Sequence, residues 1–561
     1  MPIPQHLLPY AGRWVAISRA QVVGAGMTEA EARAAGQLAR PKDSPVLAFV
    51  PEPFNYPLPD AVGAVRQAVP DPARVWLVGG PVRDLMLQRR VHDLDFAVDG
   101  DGLAIARRAA DALGAAFYPL DAERGVGRVV VPAADETEAA LTLDFASLRG
   151  PDLYADLAGR DFALNALAVP LDQPDVVIDP LRGAADLRAK VIRLCAPNAI
   201  ADDPVRAIRA VRLAAQLGFR LDAATRAAVK AGASDLGRVS AERQRDEFIR
   251  CLGGPRPEAA VRVLEVTGVL AQIISELAAL KGVEQSPPHT LDVWEHTLAT
   301  LSRLADLVTV LGPVHDVDAA SDLTLGLATV RLGRYRQPIS AHLRAPLSSD
   351  RPTRWLLFLA ALLHDAAKPQ TRSVDPDGRI RFFSHETEGA DLAAHVLTRL
   401  RFSSDEVRHV RVVVENHMRP RQLSHAAAGQ VGAIGRRAVY RFWRDVGAAG
   451  VDIVLLSLAD FLAKFGLGPP PQAEWVGHVA GCFQLLEAYF EQREQRVAPP
   501  ALISGNDLIQ ELGLAPGPLL GRLLEAVREA QATGEVTDRA AALAYARRLL
   551  DGPGGNGPAR A

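Results

Sequence analysis

The run VWLVGGPVRDLMLQRRVHDLDFAV, residues 75–98, constrains this chain more than any other segment. It reads as a strand, a Gly79-Gly80 corner, a helix beginning near Pro81, and a second strand carrying Asp93 and Asp95. Glycines at a strand-to-helix turn let backbone N–H groups approach a phosphate with no Cβ in the way, and the helix N-terminus adds a favourable dipole. Arg83 then falls in the first helical turn, placed to contact a triphosphate. Residues i and i+2 of a strand project to one face, so Asp93 and Asp95 can hold divalent cations between them. Two such ions activate an attacking hydroxyl and stabilise a leaving pyrophosphate. A lone DxD is equally at home on a solvated edge, and a lone GG is simply a turn. The order strand, turn, helix, strand is what points to a nucleotide site.

At 561 residues the chain exceeds what one hydrophobic core serves, so several modules are expected. Residues 1–57 read as a small α+β accessory module closing in a proline-rich linker, PEPFNYPLP. Residues 58–190 alternate strand-like runs (RVWLVGG, DLDFAV, GRVVVP, LTLDFA, VVIDP) with helical ones (GLAIARRAADALG, RDFALNALAV), the pattern of a mixed α/β head. Helical spacing then takes over: a neck over 191–280, a histidine-bearing domain over 281–470 interrupted by a loop-like stretch near 308–350, and a C-terminal helical module over 471–552. The Gly/Pro tail, 553–561, is expected to be disordered. The fold class is therefore multidomain α+β. Three scattered cysteines, Cys195, Cys251 and Cys482, form no CxxC pair, and no secretory leader or bilayer-length apolar run is evident, which fits a cytoplasmic protein without a membrane partner. A net charge of −3 does not exclude a polyanionic ligand, because a local basic stripe suffices to hold phosphates.

GGPVRD followed by DLDF resembles the signature of the tRNA nucleotidyltransferase and bacterial poly(A) polymerase family, members of the polymerase β superfamily. The similarity runs in family order to about residue 250. It implies a polymerase β-like head, Mg2+ as cofactor, CTP and ATP as nucleotides and a tRNA 3′ end as partner. By this resemblance Asp144, in LTLDFASLR, is a further acidic residue beside the site, and Arg160, Asp161 and Asn165, in GRDFALNALA, contact the nucleotide. ADDPVRAIRAVRLAA resembles the helix that selects the incoming base. Asp203 and Arg206 lie three apart, one accepting and one donating, as on one helical face, and Arg209 and Arg212 continue a basic stripe towards triphosphate or RNA. An Arg-rich solvated face with Asp203 as cap is the plainer reading of that segment alone. Three departures stand out: Gly159 replaces the first Arg of an RRD motif, Asp202 replaces a Glu, and the segment between Arg149 and Asp156 is short. The short segment leaves both CCA addition and CC-only addition open.

Downstream, His296, His364-Asp365, His385, His417 and Asp460 follow in the order H, HD, H, H, D on successive helices. Imidazole and carboxylate suit a divalent transition metal, which can lower the pKa of water enough to attack a phosphoester. The set resembles the HD phosphohydrolase superfamily, whose domain also follows the head in some tRNA nucleotidyltransferases. His289, His395, His409 and His425 are expected at the surface or behind the ligands. The expected activity is template-independent nucleotide addition to the tRNA 3′ end. The alternatives are a poly(A) polymerase, or an HD phosphohydrolase whose head senses nucleotides or binds RNA.

Overall fold

The computed structural model describes residue 4 and residues 6–133, 140–313, 323–348, 351–428, 433–466 and 468–551. The 553–561 tail lies outside them. The chain divides into two compact units, residues 1–239 and 240–561, a boundary that falls inside the segment read as a neck.

The first unit opens with a three-stranded sheet, β1 (Trp14–Ser18), β2 (Gln21–Gly26) and β3 (Val46–Phe49), ordered β2-β1-β3. Helix α1 (Glu29–Ala39) packs on it, started by a capping box in which Thr28 and Glu31 satisfy each other's backbone N–H groups. The expected linker is tied down. β4 (Glu52–Pro53) pairs with a later strand, Phe54 is buried, and the Phe54 N–H donates to Asp175 O at 2.7 Å.

The head follows: α2 (Asp60–Ala68), β5 (Val75–Val78), α3 (Gly80–Met86), β6 (Asp93–Val98), α4 (Gly102–Leu113), β7 (Ala116–Asp121), β8 (Val126–Val131), β9 (Leu141–Ser147), α5 (Leu153–Ala158), β10 (Ala168–Pro170), β11 (Val176–Val177) and α6 (Gly183–Ala189). Its mixed sheet runs β10-β5-β6-β9-β8-β7, with β6 and β9 parallel and the other neighbours antiparallel. One sheet face buries Leu77, Leu94, Phe96, Leu143 and Phe145, with Phe96 and Phe145 stacked at 4.7 Å, and α4 lies against β8 and β9. Asp93 and Asp95 project from the other face. RDFALNALAV, expected as a helix, is instead a single 3-10 turn over Ala163–Asn165 running into β10 at the sheet edge. Its residues from Phe162 to Val169 are nearly all buried, and an apolar run without a polar side carries no period that separates helix from strand.

The unit closes with β12 (Val191–Ile192), α7 (Ala199–Asp202), α8 (Val205–Leu217), β13 (Arg220–Leu221) and α9 (Ala223–Gly232), β12 and β13 pairing in parallel. The expected single helical face for Asp203 and Arg206 is not formed. Asp203 is extended (φ −145°, ψ 93°) at the end of α7, because Pro204 disfavours a helical residue before it, and Arg206 lies in the first turn of α8.

The second unit is helical: α10 (Ala241–Leu252), α11 (Pro257–Val266), α12 (Val269–Ile273), α13 (Val293–Val310), α14 (Leu323–Leu332), α15 (Arg336–Arg344), α16 (Thr353–Leu363) and α17 (Lys368–Thr371). A hairpin β14 (Arg372–Val374)–β15 (Ile380–Phe382) follows, then α18 (His385–Arg399), α19 (Ser404–Asn416), α20 (Arg419–Ala428), α21 (Arg436–Val446), α22 (Gly450–Ala463), α23 (Gln472–Phe490), α24 (Gly505–Leu512), α25 (Pro518–Thr533) and α26 (Arg539–Asp551). The stretch near 308–350, expected as a loop, contains α14 and α15, with Leu325, Ala328, Ile339 and Leu343 buried; residues 314–322 and 349–350 lie outside the described part. Every residue of α22 is buried. Among the described residues the helical stretch Arg436–Ala463 is long and apolar enough to cross a membrane, contrary to the sequence reading, but 89% of its apolar window is buried inside the unit.

Candidate functional site

In the head, β-pairing builds a row of side chains across three strands. Asp95 of β6 pairs with Asp144 of β9, and Asp144 pairs with Arg128 of β8. Arg128 donates twice to Asp144, at 2.8 and 2.7 Å. On the other side Asp95 pairs with Val78, the residue before the glycine corner. Asp93 lies two residues back on the same face, so Asp93, Asp95 and Asp144 share one face of the sheet. Burial first, and then the neighbouring Asp144, push the Asp95 carboxyl up to about 6, with Arg160 pulling the other way. Such crowding of negative charge is what a divalent cation relieves, so the residues present fit Mg2+.

Gly79 has φ +79° and ψ −137°, a conformation only glycine adopts without strain. A Cβ there would stand 3.0 Å from Arg160 Nη1 and 3.7 Å from Asp95 Oδ2, so Arg160 lies directly over the corner. Gly80 starts α3. Arg83 is turned inward: its guanidinium donates to Asp84 at 2.9 and 2.7 Å and to Asn165 Oδ1 at 2.6 Å. The network continues, since Asn165 Nδ2 donates to Asp161 Oδ1 at 3.1 Å and Arg209 donates to Asp161 Oδ2 at 3.1 Å. Burial opposes the charge on Asp161, but Arg209 and Asn165 hold its carboxyl below the usual range. Arg206 donates to Gly159 O at 3.0 Å and Arg160 O at 3.4 Å, and Arg212 donates to Gln216 at 3.1 Å. Two residues absent from the sequence reading complete the site. Arg128 neutralises Asp144, and buried Asp156 accepts from Arg160 at 3.1 and 2.9 Å. Asp156 lies four before Arg160, a spacing the sequence displays; the Arg128–Asp144 pairing has no local signal.

The second unit brings together all six residues of the H, HD, H, H, D set. His296 comes from α13, His364 and Asp365 follow α16, His385 begins α18, His417 follows α19, and Asp460 sits on α22. His296, His364 and Asp460 place ligand atoms within 4.8 Å of one another, and so do Asp365, His385 and His417. His364, His385 and His417 each direct Nδ1 at the carbonyl three residues back, at 2.8, 2.7 and 2.6 Å, which leaves Nε2 to face the cluster. His364 Nε2 is fully buried and lies 3.2 Å from Asp365 Oδ2. Burial pushes His417 down to about 3, keeping it neutral as a ligand must be. Although burial opposes their charge, Asp365 is held well below the carboxylate range by His364 and Lys368, and Asp460 by Lys464 and His296. This donor set fits a divalent metal.

Beside the cluster lies a cavity of about 290 Å³ whose walls include His289, Lys368, Arg379, Arg381 and Lys464. Lys368 and Lys464, absent from the sequence reading, lie 2.7 Å from Asp365 and 3.0 Å from Asp460. Of the four histidines set aside, His395 and His425 are exposed and His289 stands behind His296 at 5.3 Å between rings. His409 departs from that expectation: it is buried against Asp452 at 2.8 Å, away from the six-residue set.

Four family models match stretches of this chain, one of them across the boundary between the two units. The poly(A) polymerase head domain model matches residues 75–193, the polymerase A RNA- and SrmB-binding model 218–281, the HD domain 289–460, and tRNA nucleotidyltransferase domain 2 499–546. The A-adding tRNA nucleotidyltransferase of Deinococcus radiodurans is 34% identical, covering 86% of this chain and 97% of that protein. The chain belongs to the tRNA nucleotidyltransferase family. A CC-adding member from Thermus thermophilus is 33% identical over 84% of this chain and 93% of that protein, and one from Geobacter sulfurreducens 32% over 91% and 99%. A solved CCA-adding enzyme shares the fold, with TM-score 0.54 at 18% identity, covering 89% of this chain and 94% of that one. Enzymes of this family are nucleotidyltransferases that use divalent metals, and this chain is one of them.

Proposed function

We propose that the head adds nucleotides to the 3′ end of tRNA, taking them from CTP or ATP. The observation that carries this reading is the row of Asp93, Asp95 and Asp144 beside the Gly79 corner, three carboxylates against the two guanidiniums of Arg128 and Arg160. Asp93 and Asp95 would hold Mg2+, which supplies activation of the attacking hydroxyl and charge stabilisation on the leaving pyrophosphate. The Gly79 N–H is donated to Leu167 O at 3.1 Å, so phosphate would be held at the corner by the Gly80 N–H together with Arg83 and Arg160. We assign the ribose to Asp161 and Asn165, the base to Asp203 and Arg206, and triphosphate or RNA backbone to Arg209 and Arg212. The 3′-hydroxyl of the RNA displaces pyrophosphate from the α-phosphorus, and the base is chosen by side chains in place of a template.

The six-residue set of the second unit, with its cationic cavity wall, favours a second activity: hydrolysis of a phosphoester. His296, His364, Asp365, His385, His417 and Asp460 would hold a divalent transition metal that supplies a low-pKa water. Lys368, Lys464, Arg379 and Arg381 draw the anionic substrate into the cavity.

The purified protein, incubated with labelled CTP or ATP, magnesium, and tRNA lacking one, two or three terminal nucleotides, tests the first reading. C alone assigns CC addition, C then A assigns CCA addition, A alone assigns A addition, and long A tails assign poly(A) synthesis. Asp95→Ala is expected to abolish labelling, and label surviving in that variant refutes the metal site. His364→Ala is expected to remove metal-dependent phosphoesterase activity while sparing incorporation.

A further inference from the structure

The N-terminal module, left without a role by the sequence reading, packs on the same side of the head sheet as the catalytic carboxylates. Phe49, at the end of β3, shares a core cluster with Val78, Ala97, Leu153 and Leu157. Val78 pairs with Asp95, and Ala97 lies two residues beyond Asp95 on the same strand, so this cluster begins where the acidic site ends. Trp14, at the start of β1, packs on Phe49 with ring centroids 5.7 Å apart and on Tyr154 of α5 at 5.1 Å. Antiparallel pairing of β4 with β11 tethers the module.

Helix α5 has six residues, too few to hold its shape without tertiary packing. Yet it carries the group that aims Arg160. Asp156 accepts the Arg149 N–H through Oδ1 and both Arg160 donors through Oδ2, and Arg160 Nη1 then stands over Gly79. A path therefore runs from Trp14 and Phe49 by ring contact to Tyr154, through the α5 backbone to Asp156 two residues on, and by hydrogen bonds to Arg160 and the phosphate corner.

We propose that Trp14 and Phe49 are positioning residues for nucleotide binding, fixing Arg160 at the Gly79 corner through Tyr154 and Asp156. The proposal rests on the head being the nucleotidyltransferase site. Losing the aromatic cover lets α5 fray and frees Asp156, so Arg160 leaves the corner while the carboxylate row, held by β-pairing, stays in register.

The test uses the full chain, with steady-state incorporation into tRNA and equilibrium binding of CTP and ATP. Trp14→Ala and Tyr154→Leu are each expected to weaken nucleotide affinity and raise its KM by roughly tenfold, with kcat within about twofold and KM for tRNA unchanged. Trp14→Phe should restore wild-type KM, and Asp156→Asn should match Trp14→Ala. Trp14→Ala combined with Asp156→Asn should be no worse than Asp156→Asn alone, because both act through one guanidinium. Wild-type nucleotide affinity in folded Trp14→Ala or Tyr154→Leu overturns the proposal, as does an additive double variant. Should Trp14→Ala not fold, the milder Tyr154→Leu decides. A wild-type protein that binds nucleotide but incorporates none removes the proposed activity, and the binding comparison still decides the positioning role.

Discussion

Asp95 illustrates how a residue proposed for metal binding can be costly to the fold. Its carboxyl is pushed up to about 6 by burial and by Asp144. A folded pKa raised above the unfolded one means that the unfolded chain gives up its proton first. Stability is therefore full below about pH 4 for this group and falls as pH rises towards 6, by about 3 kcal/mol at most. Melting curves in EDTA between pH 4.5 and pH 7.5 should show that fall, Mg2+ should offset it, and Asp95→Asn should flatten it while abolishing incorporation. Unchanged melting profiles in Asp95→Asn would count against Asp95 as the source of that pH dependence. Gly79 is the second single-residue case. Gly79→Ala places a methyl 3.0 Å from Arg160 Nη1 at φ +79°, and is expected to cost about 1–2 kcal/mol in chemical denaturation and to lower nucleotide affinity.

At the scale of elements, the long inward-facing helix α22 is held by charge as well as by packing. Asp452, fully buried, meets His342 of α15 at 2.9 Å and His409 of α19 at 2.8 Å. Burial works against the charge on His342, but Asp452 raises its pKa. Asp452 itself goes down to about 2 under the pull of both histidines, despite burial. The signs follow directly. The His342 contribution is complete below about pH 6.5 and is lost as pH rises through its elevated folded value, while the Asp452 contribution is present above about pH 4 and is lost as pH falls through about 2. His342→Ala is expected to destabilise the second unit by about 3–5 kcal/mol, since it leaves a buried carboxylate short of a partner, and the loss should be larger at pH 6 than at pH 9. Equal losses at the two pH values would dissociate the effect from His342 protonation. The same scale explains the misread elements. α14 and α15 were hidden by the breaks around them, and RDFALNALAV, buried on all sides, offered no polar face from which to read its period.

Across the whole molecule the two units carry separate cores and separate acidic or histidine clusters. Two calorimetric transitions are therefore expected. Chelation should lower both, and His364→Ala should remove the metal dependence of one while Asp95→Asn removes that of the other. A single transition that loses all metal dependence in either variant would contradict independent metal sites. The chemistry was legible in sequence wherever ligands share a short element: the glycine corner with its Asp-x-Asp strand, the His364-Asp365 pair, the stripe of Arg206, Arg209 and Arg212. Hydrophobic period and glycine placement are local properties, so they suggested an order of modules and the glycine corner, whereas Asp144, Arg160, Asp161 and Asn165 were singled out only by resemblance to a family. Only the tertiary structure decided that Arg128 faces Asp144, that Asp203 leaves the helix of Arg206, that Lys368 and Lys464 pair with Asp365 and Asp460, and that Trp14 reaches Tyr154, 140 residues away. Apart from the turn before Pro204, those facts depend on strand register and on which apolar faces meet, and pairing free energies between distant segments leave no periodic trace in a chain.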